Sequence, residues 1–315
     1  MSVTWAQHAS FTRVVRMSEF VSRNAASPKR QLFKYLAINE HTLSLLSTGA
    51  VYFSSPADFN DPFDTRFVKR DLCAQQQQLE RERRELGTDS AILGAAMMSV
   101  FEREHSECDV KPRIYCMSEI ANSILMWSHY ADSHRGICAV FEAEEMGEPW
   151  MLSFAGSSFS FAGMALTKFG VDGSIEVIDH EPSSAGLTVS LPANRVLYTD
   201  KPPGMFVFDP VSGGPMRGIT YEFVKNIDWE YERERRIVVR ESFLAENPTH
   251  LAIDVIVGVV FGLKVSKDNV LRVREAINSL GCTRPVAYSR MTGSADGFSL
   301  DRLPIPDIDG FVRSL

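Results

Sequence analysis

The sequence predicts an α+β fold, in which helices and strands are collected in separate parts of the chain. Apolar runs typical of short strands recur at irregular spacing, and helical patterns gather in two regions. The C-terminal part has the pattern of a strand, a helix and a strand at residues 251–261, 267–279 and 284–288. We therefore expect one α+β domain over residues 31–315, with a peripheral segment at 1–30 and insertions at about 71–110 and 145–190.

Local signals place the elements of the N-terminal half. A strand at residues 32–36 precedes a helix that begins at Asn39 or Glu40 and ends at Gly49, a residue type common just after helices. A helix beginning at Asn122 or Ser123 is expected before residue 131. Further strands are expected at residues 51–55, 114–118 and 136–141, and helical structure at 71–104.

The middle of the chain lacks clear signals for long helices or strands. Residues 146–220 are rich in Gly, Ser, Pro and Phe and are expected to be irregular, with strand-like pieces at 164–169 and 195–198. Beyond them, Ser266 is a suitable cap for the helix at 267–279, and Gly281 is a suitable stop.

Composition limits the classes of function. The 315 residues are 44% hydrophobic, which allows a substantial core, and a net charge of −7 argues against broad electrostatic capture of nucleic acid. Five scattered cysteines without a CxxC pair indicate a reduced setting and give no zinc pattern, so no metal is expected. Without a signal peptide or a run of about 18 apolar residues, we expect a cytoplasmic protein with no membrane partner.

The stretch at 229–240 carries alternating acids and arginines. As a strand it would place Glu232 and Glu234 on one face, roughly 7 Å apart, close enough to act on one small substrate. Like charges so arranged repel unless arginines or a cationic ligand offset them, so an ion-pair ladder along a sheet edge is the structural alternative. A charged helix with Glu232 and Arg236 paired is a further alternative, although the Ile-Val-Val run favours the strand.

Two other segments carry candidate site residues. The helix at 122–132 presents His129, which belongs either to a general acid–base set or to a packed helix end. The segment 57–64 is dense in turn formers and acids, so its acidic residues either build turns or contact a ligand. The side chains concerned there are Asn60, Asp61 and Asp64.

Four segments of the chain carry a resemblance to a known family. They are residues 32–35 with the following helix, 52–64, 124–137 and 229–237. Together they resemble a large bacterial family, the domain-of-unknown-function 2971 family, over residues 31–290 apart from 71–110 and 145–190. This family name implies no chemistry.

A second resemblance implies chemistry. A strand with a polar residue beside Tyr, a helix, a strand bearing Tyr-Phe-Ser and a later Glu-x-Glu are similar to the ADP-ribosyltransferase arrangement, in which a split antiparallel sheet holds NAD. The resemblance implies that Glu234 holds the nicotinamide ribose, that Glu232 assists the acceptor, and that Lys34, where His or Arg is usual, holds the phosphate side. It assigns the nicotinamide pocket to Tyr52, Phe53 and Ser54. The remaining candidates are His129 as a catalytic residue, and Tyr35, Asn60, Asp61, Trp127, Tyr130 and Arg236 as cofactor-binding residues.

The chemistry that follows is transfer of ADP-ribose from NAD to a macromolecular acceptor, as in a bacterial toxin or phage-defence effector. Cleavage of the nicotinamide–ribose bond makes the sugar cationic, which a fixed carboxylate stabilises, and a second carboxylate takes a proton from the acceptor. One alternative is a non-catalytic sensor that binds a nucleotide or a partner. Another is a nuclease that uses His129, His134, Glu232, Asp61 and Arg236, with a basic groove formed by Lys225 and residues 233–240.

Overall fold

A computed structural model describes residues 28–65, 111–145, 147–159, 188–201 and 221–315, together with the backbone of two short strands. The chain divides into two compact units, Pro28–Ser160 with Ala185–Leu315 and Met1–Ser27 with Phe161–Ser184. The described part of the second unit is an antiparallel pair of strands. The expected N-terminal segment at 1–30, apart from residues 28–30, and the expected helical structure at 71–104 lie outside the described residues.

Short strands outnumber helices in the described ranges. The strands are β1 (Lys29–Leu36), β2 (Ala50–Val51), β3 (Pro112–Ser118), β4 (Ile137–Glu144), β5 (Trp150–Ala155), β6 (Leu166–Phe169), β7 (Ile175–Ile178), β8 (Thr188–Arg195), β9 (Leu197–Thr199), β10 (Val224–Asn226), β11 (Glu234–Arg240), β12 (Thr249–His250), β13 (Ile256–Phe261), β14 (Ala287–Gly293) and β15 (Leu300–Ile305). The α-helices are α1 (Glu40–Thr48), α2 (Ile124–Tyr130), α3 (Lys267–Ser279) and α4 (Ile308–Ser314).

Six strands of the larger unit close into a barrel in the order β1, β3, β11, β8, β5, β4 and back to β1, with every neighbour antiparallel. The ring closes because β1 pairs with β4 along its whole length, from Lys29 opposite Glu144 to Leu36 opposite Ile137. The expected mixture of helices with a mostly antiparallel sheet is confirmed, with four α-helices distributed among the strands of the described ranges. The closed ring differs from the split sheet that the ADP-ribosyltransferase resemblance implies.

The C-terminal strand–helix–strand unit is confirmed and extends the sheet beyond the barrel. β13 pairs antiparallel with β4, and β14 lies parallel to β13 after the crossover through α3. β14 begins at Ala287, whereas the sequence predicts a strand from 284. The earlier start fails because the Asp254 carboxylate accepts hydrogen bonds from the backbone N–H groups of Thr283 and Arg284, which holds them out of the ladder.

Helix starts follow the capping signals in the sequence. Asn39, Ser123 and Ser266 each accept a hydrogen bond from a backbone N–H of the first turn of α1, α2 and α3. Gly49 ends α1 at φ +77°, a conformation that costs glycine little. These predicted boundaries are confirmed. None of the helices in the described ranges is long and apolar enough to cross a membrane.

A hydrophobic core joins α2 to the sheet. Trp127 is fully buried, donates its Nε1–H to the carbonyl of Ala121 and meets the ring of Tyr35 edge-on at 5.2 Å. The same core contains Cys138, Val260 and Met291 from three neighbouring strands. Removal of an indole from such a site costs about 3–5 kcal/mol, so this packing fixes α2 against the barrel.

Two strand predictions are wrong at their ends. The strand expected at 229–240 begins only at Glu234, because residues Ile227–Glu232 form a 3₁₀ turn and Arg233 adopts a left-handed conformation at φ +43°. Asn226 starts this turn by accepting a hydrogen bond from the N–H of Asp228. The strand expected at 51–55 is only Ala50–Val51, followed by a single bridge between Ser54 and Ile114.

Candidate functional site

Five charged side chains from separate parts of the chain meet in the interior beside β11. They form what we call the charge cluster: Asp64, Lys225, Glu232, Glu234 and Arg236. Each is at most 6% exposed. Charged groups are seldom buried unless they are paired, so the contacts within the cluster decide what each of them can do.

Arg236 is the best-bonded member of the charge cluster. Its guanidinium donates five hydrogen bonds, of which two go to the carboxylate of Asp64, two to the carboxylate of Glu234 and one to the carbonyl of Glu222. The bonds to the two carboxylates span 2.6–2.9 Å. Forked contacts of this kind are the strong form of an ion pair and hold both carboxylates in place.

Lys225 lies between the three carboxylates. Its ammonium is 2.6 Å from Glu232, 3.4 Å from Glu234 and 3.5 Å from Asp64, and it lies over the ring of Trp229 at 4.7 Å. The ammonium thus occupies the position among the three carboxylates that a metal cation would otherwise take. Within the described ranges, no group of three His, Cys, Asp or Glu side chains could hold a metal ion.

Glu232 is bonded at both carboxylate oxygens. Oε1 accepts from the hydroxyl of Tyr130 at 2.7 Å, and Oε2 accepts from Lys225. The Tyr130 hydroxyl in turn accepts from the amide of Asn60 at 3.1 Å, and Asn60 is exposed. A chain of hydrogen bonds therefore leads from the buried carboxyl to the surface.

The turn at Arg233 brings the two glutamates together. In a straight strand their side chains would stand roughly 7 Å apart, yet here both reach Lys225. The turn is held by Ser118, whose hydroxyl donates to the carbonyl of Glu232 at 2.6 Å, and by the N–H of Glu119, which donates to the carbonyl of Arg233 at 3.0 Å. These bonds fix the backbone on both sides of the left-handed residue.

The two glutamates differ in protonation. Burial raises the pKa of Glu234, but the charges of Arg236 and Lys225 outweigh burial and lower this pKa to about 2. Burial and the charge of Glu234 raise the pKa of Glu232, and the contacts with Lys225 and Tyr130 offset this only in part. Glu234 is therefore a fixed anion, whereas Glu232 is the carboxyl of the pair that takes up a proton more readily.

A row of aromatic rings lies at the edge of the charge cluster. The centroids of neighbouring rings are 6.0–6.4 Å apart from Trp229 to Tyr231, from Tyr231 to His129 and from His129 to Tyr130. His129 is exposed and the other three are half-buried. Neighbouring rings are tilted by 36–68° to one another, so a planar group next to Glu232 would stack on one ring at a time.

Five of the predicted site residues lie together. Glu234 and Arg236 bind each other, and Glu232, Tyr130 and Asn60 form the chain of hydrogen bonds. His129 belongs to the aromatic row, where its ring neighbours are Tyr130 and Tyr231. The Glu232–Arg236 pair expected of a charged helix is absent among the described contacts, because Arg236 is taken by Asp64 and Glu234.

The structure does not bring together all three side chains expected to line a nicotinamide pocket. Tyr52 is 53% exposed, Phe53 is fully buried, and the backbone of Ser54 pairs with Ile114. In an extended chain Tyr52 and Ser54 point to one side and Phe53 to the other, so Phe53 lies in the core and apart from the other two side chains.

The other predicted contacts serve the structure. Lys34 donates to the carbonyl of Cys116 at 2.7 Å and lies over the ring of Tyr115. Tyr35 donates to the carbonyl of Ile120, and Asp61 accepts the N–H of Phe63 in a turn. With Trp127 in the core, these side chains are engaged in contacts other than those of the charge cluster.

Sequence reasoning underestimates two members of the charge cluster. It assigns Lys225 only to the groove of a nuclease, and it leaves Asp64 between a turn and a ligand contact. Lys225 lies on the three-residue strand β10, which pairs with β9. A signal is available in the sequence, since a lone lysine in a short segment that ends at a capping asparagine precedes an acid-rich stretch.

Arg235, the neighbour of Arg236, points to a second group of charges. It is fully buried, is bonded to Glu119 and Glu148, and lies 3.7 Å from the ring centroid of Trp150. The Glu148 side chain is 53% exposed, unlike the carboxylates around Arg236. The two arginines are therefore similarly buried but have partners in different surroundings.

The charge cluster does not line either of two surface cavities that lie among the described residues. One cavity lies between β4, β13, β14 and β15, and the other lies beside the end of α1. Comparisons with protein-family models, with curated proteins and with solved structures return no match for this chain.

Proposed function

We propose that the chain cleaves the nicotinamide–ribose bond of NAD and passes ADP-ribose to a macromolecular acceptor. The observation that carries this proposal is the unequal pair of glutamates, in which Glu234 is a fixed anion and Glu232 has a raised pKa. Neighbouring carboxyls with separated pKa values are typical of sites for acid–base work on glycosidic bonds.

The reaction requires a negative field and a proton acceptor. As the bond between nicotinamide N1 and ribose C1′ breaks, nicotinamide leaves with the electron pair and the ribose becomes cationic. The acceptor, or water in its absence, attacks C1′ as this bond breaks, and its proton passes in the same step to the ionised carboxylate of Glu232. Lys225, 2.6 Å from this carboxylate, favours its ionised form and so opposes the effect of burial.

The geometry favours a different role for Glu234 from the one that the resemblance implies. Both of its carboxylate oxygens are held by Arg236, so they are engaged with the protein and not free for a ribose hydroxyl. In this proposal Glu234 positions Arg236 and Lys225, and Glu232 contacts the substrate. The acceptor group reaches Oε1 of Glu232 by replacing the Tyr130 hydroxyl, while one ring of the aromatic row stacks on the nicotinamide ring.

Release of nicotinamide from NAD tests the proposal. The purified chain and its Glu275→Gln variant, which changes an exposed carboxyl on α3, should both release nicotinamide. The Glu232→Gln variant should be slower by at least about 100-fold, since it lacks the proton acceptor. Release at the wild-type rate by Glu232→Gln would contradict the proposal.

A second candidate is a non-catalytic protein that binds a nucleotide or a partner. It is favoured by the complete internal pairing of Glu232 and Glu234, each of whose oxygens already has a protein partner. In that case NAD would raise the melting midpoint of the chain without release of nicotinamide. Product formation in the same sample separates the two functions.

A further inference from the structure

A cavity of about 380 Å³ lies on the sheet away from the charge cluster, where β1, β4, β13, β14 and β15 approach one another. This volume falls within the usual range for small-molecule sites. Its apolar wall is formed by four residues: Ile256, Val257, Pro285 and Ala287. The register shift between Ile256 and Gly258 lies at this wall, and such bulges often re-aim side chains at binding sites.

Arg302, from β15, lines this cavity together with three other polar side chains, Gln31, Glu142 and Arg284. It is half-buried, and its Nη1 donates to the side-chain oxygen of Gln31 at 3.1 Å. No carboxylate of the described residues pairs with it, in contrast to Arg235, Arg236 and Arg284. A guanidinium carries five N–H donors, so Arg302 keeps donors for a further acceptor.

The other charges around the cavity compensate one another. Glu142 is 3.1 Å from Arg284, and the same carboxylate is 3.9 Å from Lys29. Burial lowers the pKa of Arg302, which reflects the cost of holding this cation without a carboxylate. An anion that enters the cavity would remove that cost.

We infer that this cavity binds a small molecule that has an apolar body and one carboxylate or phosphate group. The oxyanion pairs with the guanidinium of Arg302, which suits both groups because its donors form a planar fork. The apolar body lies against Val257 and Ala287. This inference does not depend on NAD cleavage, because none of the charge cluster lines the cavity.

Binding of three simple probes to the full chain tests the inference. Benzoate presents a carboxylate, phenyl phosphate presents a phosphate, and benzyl alcohol has the ring without an anion. Titration followed by calorimetry and by ligand-observed NMR should show saturable binding of at least one anionic probe and none of benzyl alcohol. The probe that binds identifies which oxyanion the cavity prefers.

Variants locate the binding. Arg302→Gln should weaken binding of the anionic probe by about tenfold or more, which is the loss of affinity expected when hydrogen bonds to a charged group are removed. Arg272→Gln, which removes an exposed arginine paired with Glu40 on the surface, should bind as the wild type does. Ala287→Leu fills the cavity and leaves Arg302 in place, so it should abolish binding of the anionic probe. This variant tests the location of the probe even if Arg302→Gln does not fold.

Two results would overturn the inference. One is the absence of saturation by both anionic probes up to about 10 mM. The other is unchanged affinity in Ala287→Leu, which would place the probe elsewhere on the chain.

Discussion

Replacement of Arg236 by methionine removes the guanidinium that joins Asp64 to Glu234. Methionine fills much of the same volume, so the change mainly deletes charge and five hydrogen bonds. It leaves two buried carboxylates with Lys225 as their remaining cation among the described residues. Burial of charges without enough partners is the expected cause of instability.

The expected loss of unfolding free energy follows from two independent quantities. Removal of one partner of a buried ion pair costs about 3–5 kcal/mol. The pKa of Glu234 is about 2 instead of the usual 4.5, which corresponds to about 3 kcal/mol of stabilisation at neutral pH. Lys225 supplies part of that stabilisation, so we expect Arg236→Met to lower the free energy of unfolding by about 3 kcal/mol.

Arg235→Met is the matched control. It removes an equally buried guanidinium from the preceding residue of the same strand. The carboxylate of Glu148 stays half-exposed and can be solvated, so the loss should be smaller, about 1–2 kcal/mol. The difference between the two variants isolates the cost of stranding carboxylates in the interior.

Urea unfolding followed by tryptophan fluorescence measures both variants. The loss of unfolding free energy caused by Arg236→Met should also become smaller as the pH falls from 4.5 towards 2. Over that interval the wild type itself loses the stabilisation that ionised Glu234 provides. An equal or greater loss in Arg235→Met at pH 7 would refute the reasoning. So would a deficit that is unchanged in acid.

Three further outcomes are expected. The free energy of unfolding of the wild type should fall as the pH is lowered from 4.5 towards 2, because Glu234 is protonated there. The pKa of Glu232 is raised, so the contribution of Glu232 to this free energy should instead decrease as the pH rises above 4.5. Unfolding measured against pH in each Glu→Gln variant would separate the two contributions. Glu232→Gln should therefore cost less stability at pH 7 than Glu234→Gln, by the same urea assay. Gly136→Ala should destabilise the fold by more than about 2 kcal/mol, because its Cβ would lie 2.1 Å from the carbonyl of Leu36, while Gly293→Ala, which meets nothing within 4 Å, should be close to neutral in thermal melts.

Local features of the fold were predictable from the sequence. The capping side chains of Asn39, Ser123 and Ser266 identify helix starts because each bonds to the first turn of its own helix. The strand–helix–strand unit was also predictable, because the spacing of its apolar residues changes from that of a strand to that of a helix and back.

The barrel and the strands β5 and β8 were not predictable. Closure depends on Lys29 pairing with Glu144, and no local pattern reports a partner so far along the chain. β5 and β8 lie in a region rich in Gly, Ser and Pro, and they pair chiefly with each other. Their place in the barrel is set by that pairing, which the turn formers around them conceal in the sequence.

The candidate site was predictable only in part. The Glu232 and Glu234 pair stands out as an accumulation of like charge, which has to be offset in any fold. Its predicted geometry was wrong, because alternation along 229–240 favours a continuous strand while the left-handed Arg233 breaks it. The contribution of Lys225 required knowledge of tertiary structure, since β10 pairs with β9 and Lys225 on it contacts both glutamates.

Carboxyl titration by ¹³C NMR, with the two glutamates assigned through Glu232→Gln and Glu234→Gln, measures the inequality on which the proposed chemistry depends. Glu234 should stay ionised down to about pH 2, and Glu232 should titrate above the usual 4.5. A common titration of both carboxyls near 4.5, or the reverse order, would contradict the assignment of Glu232 as the proton acceptor.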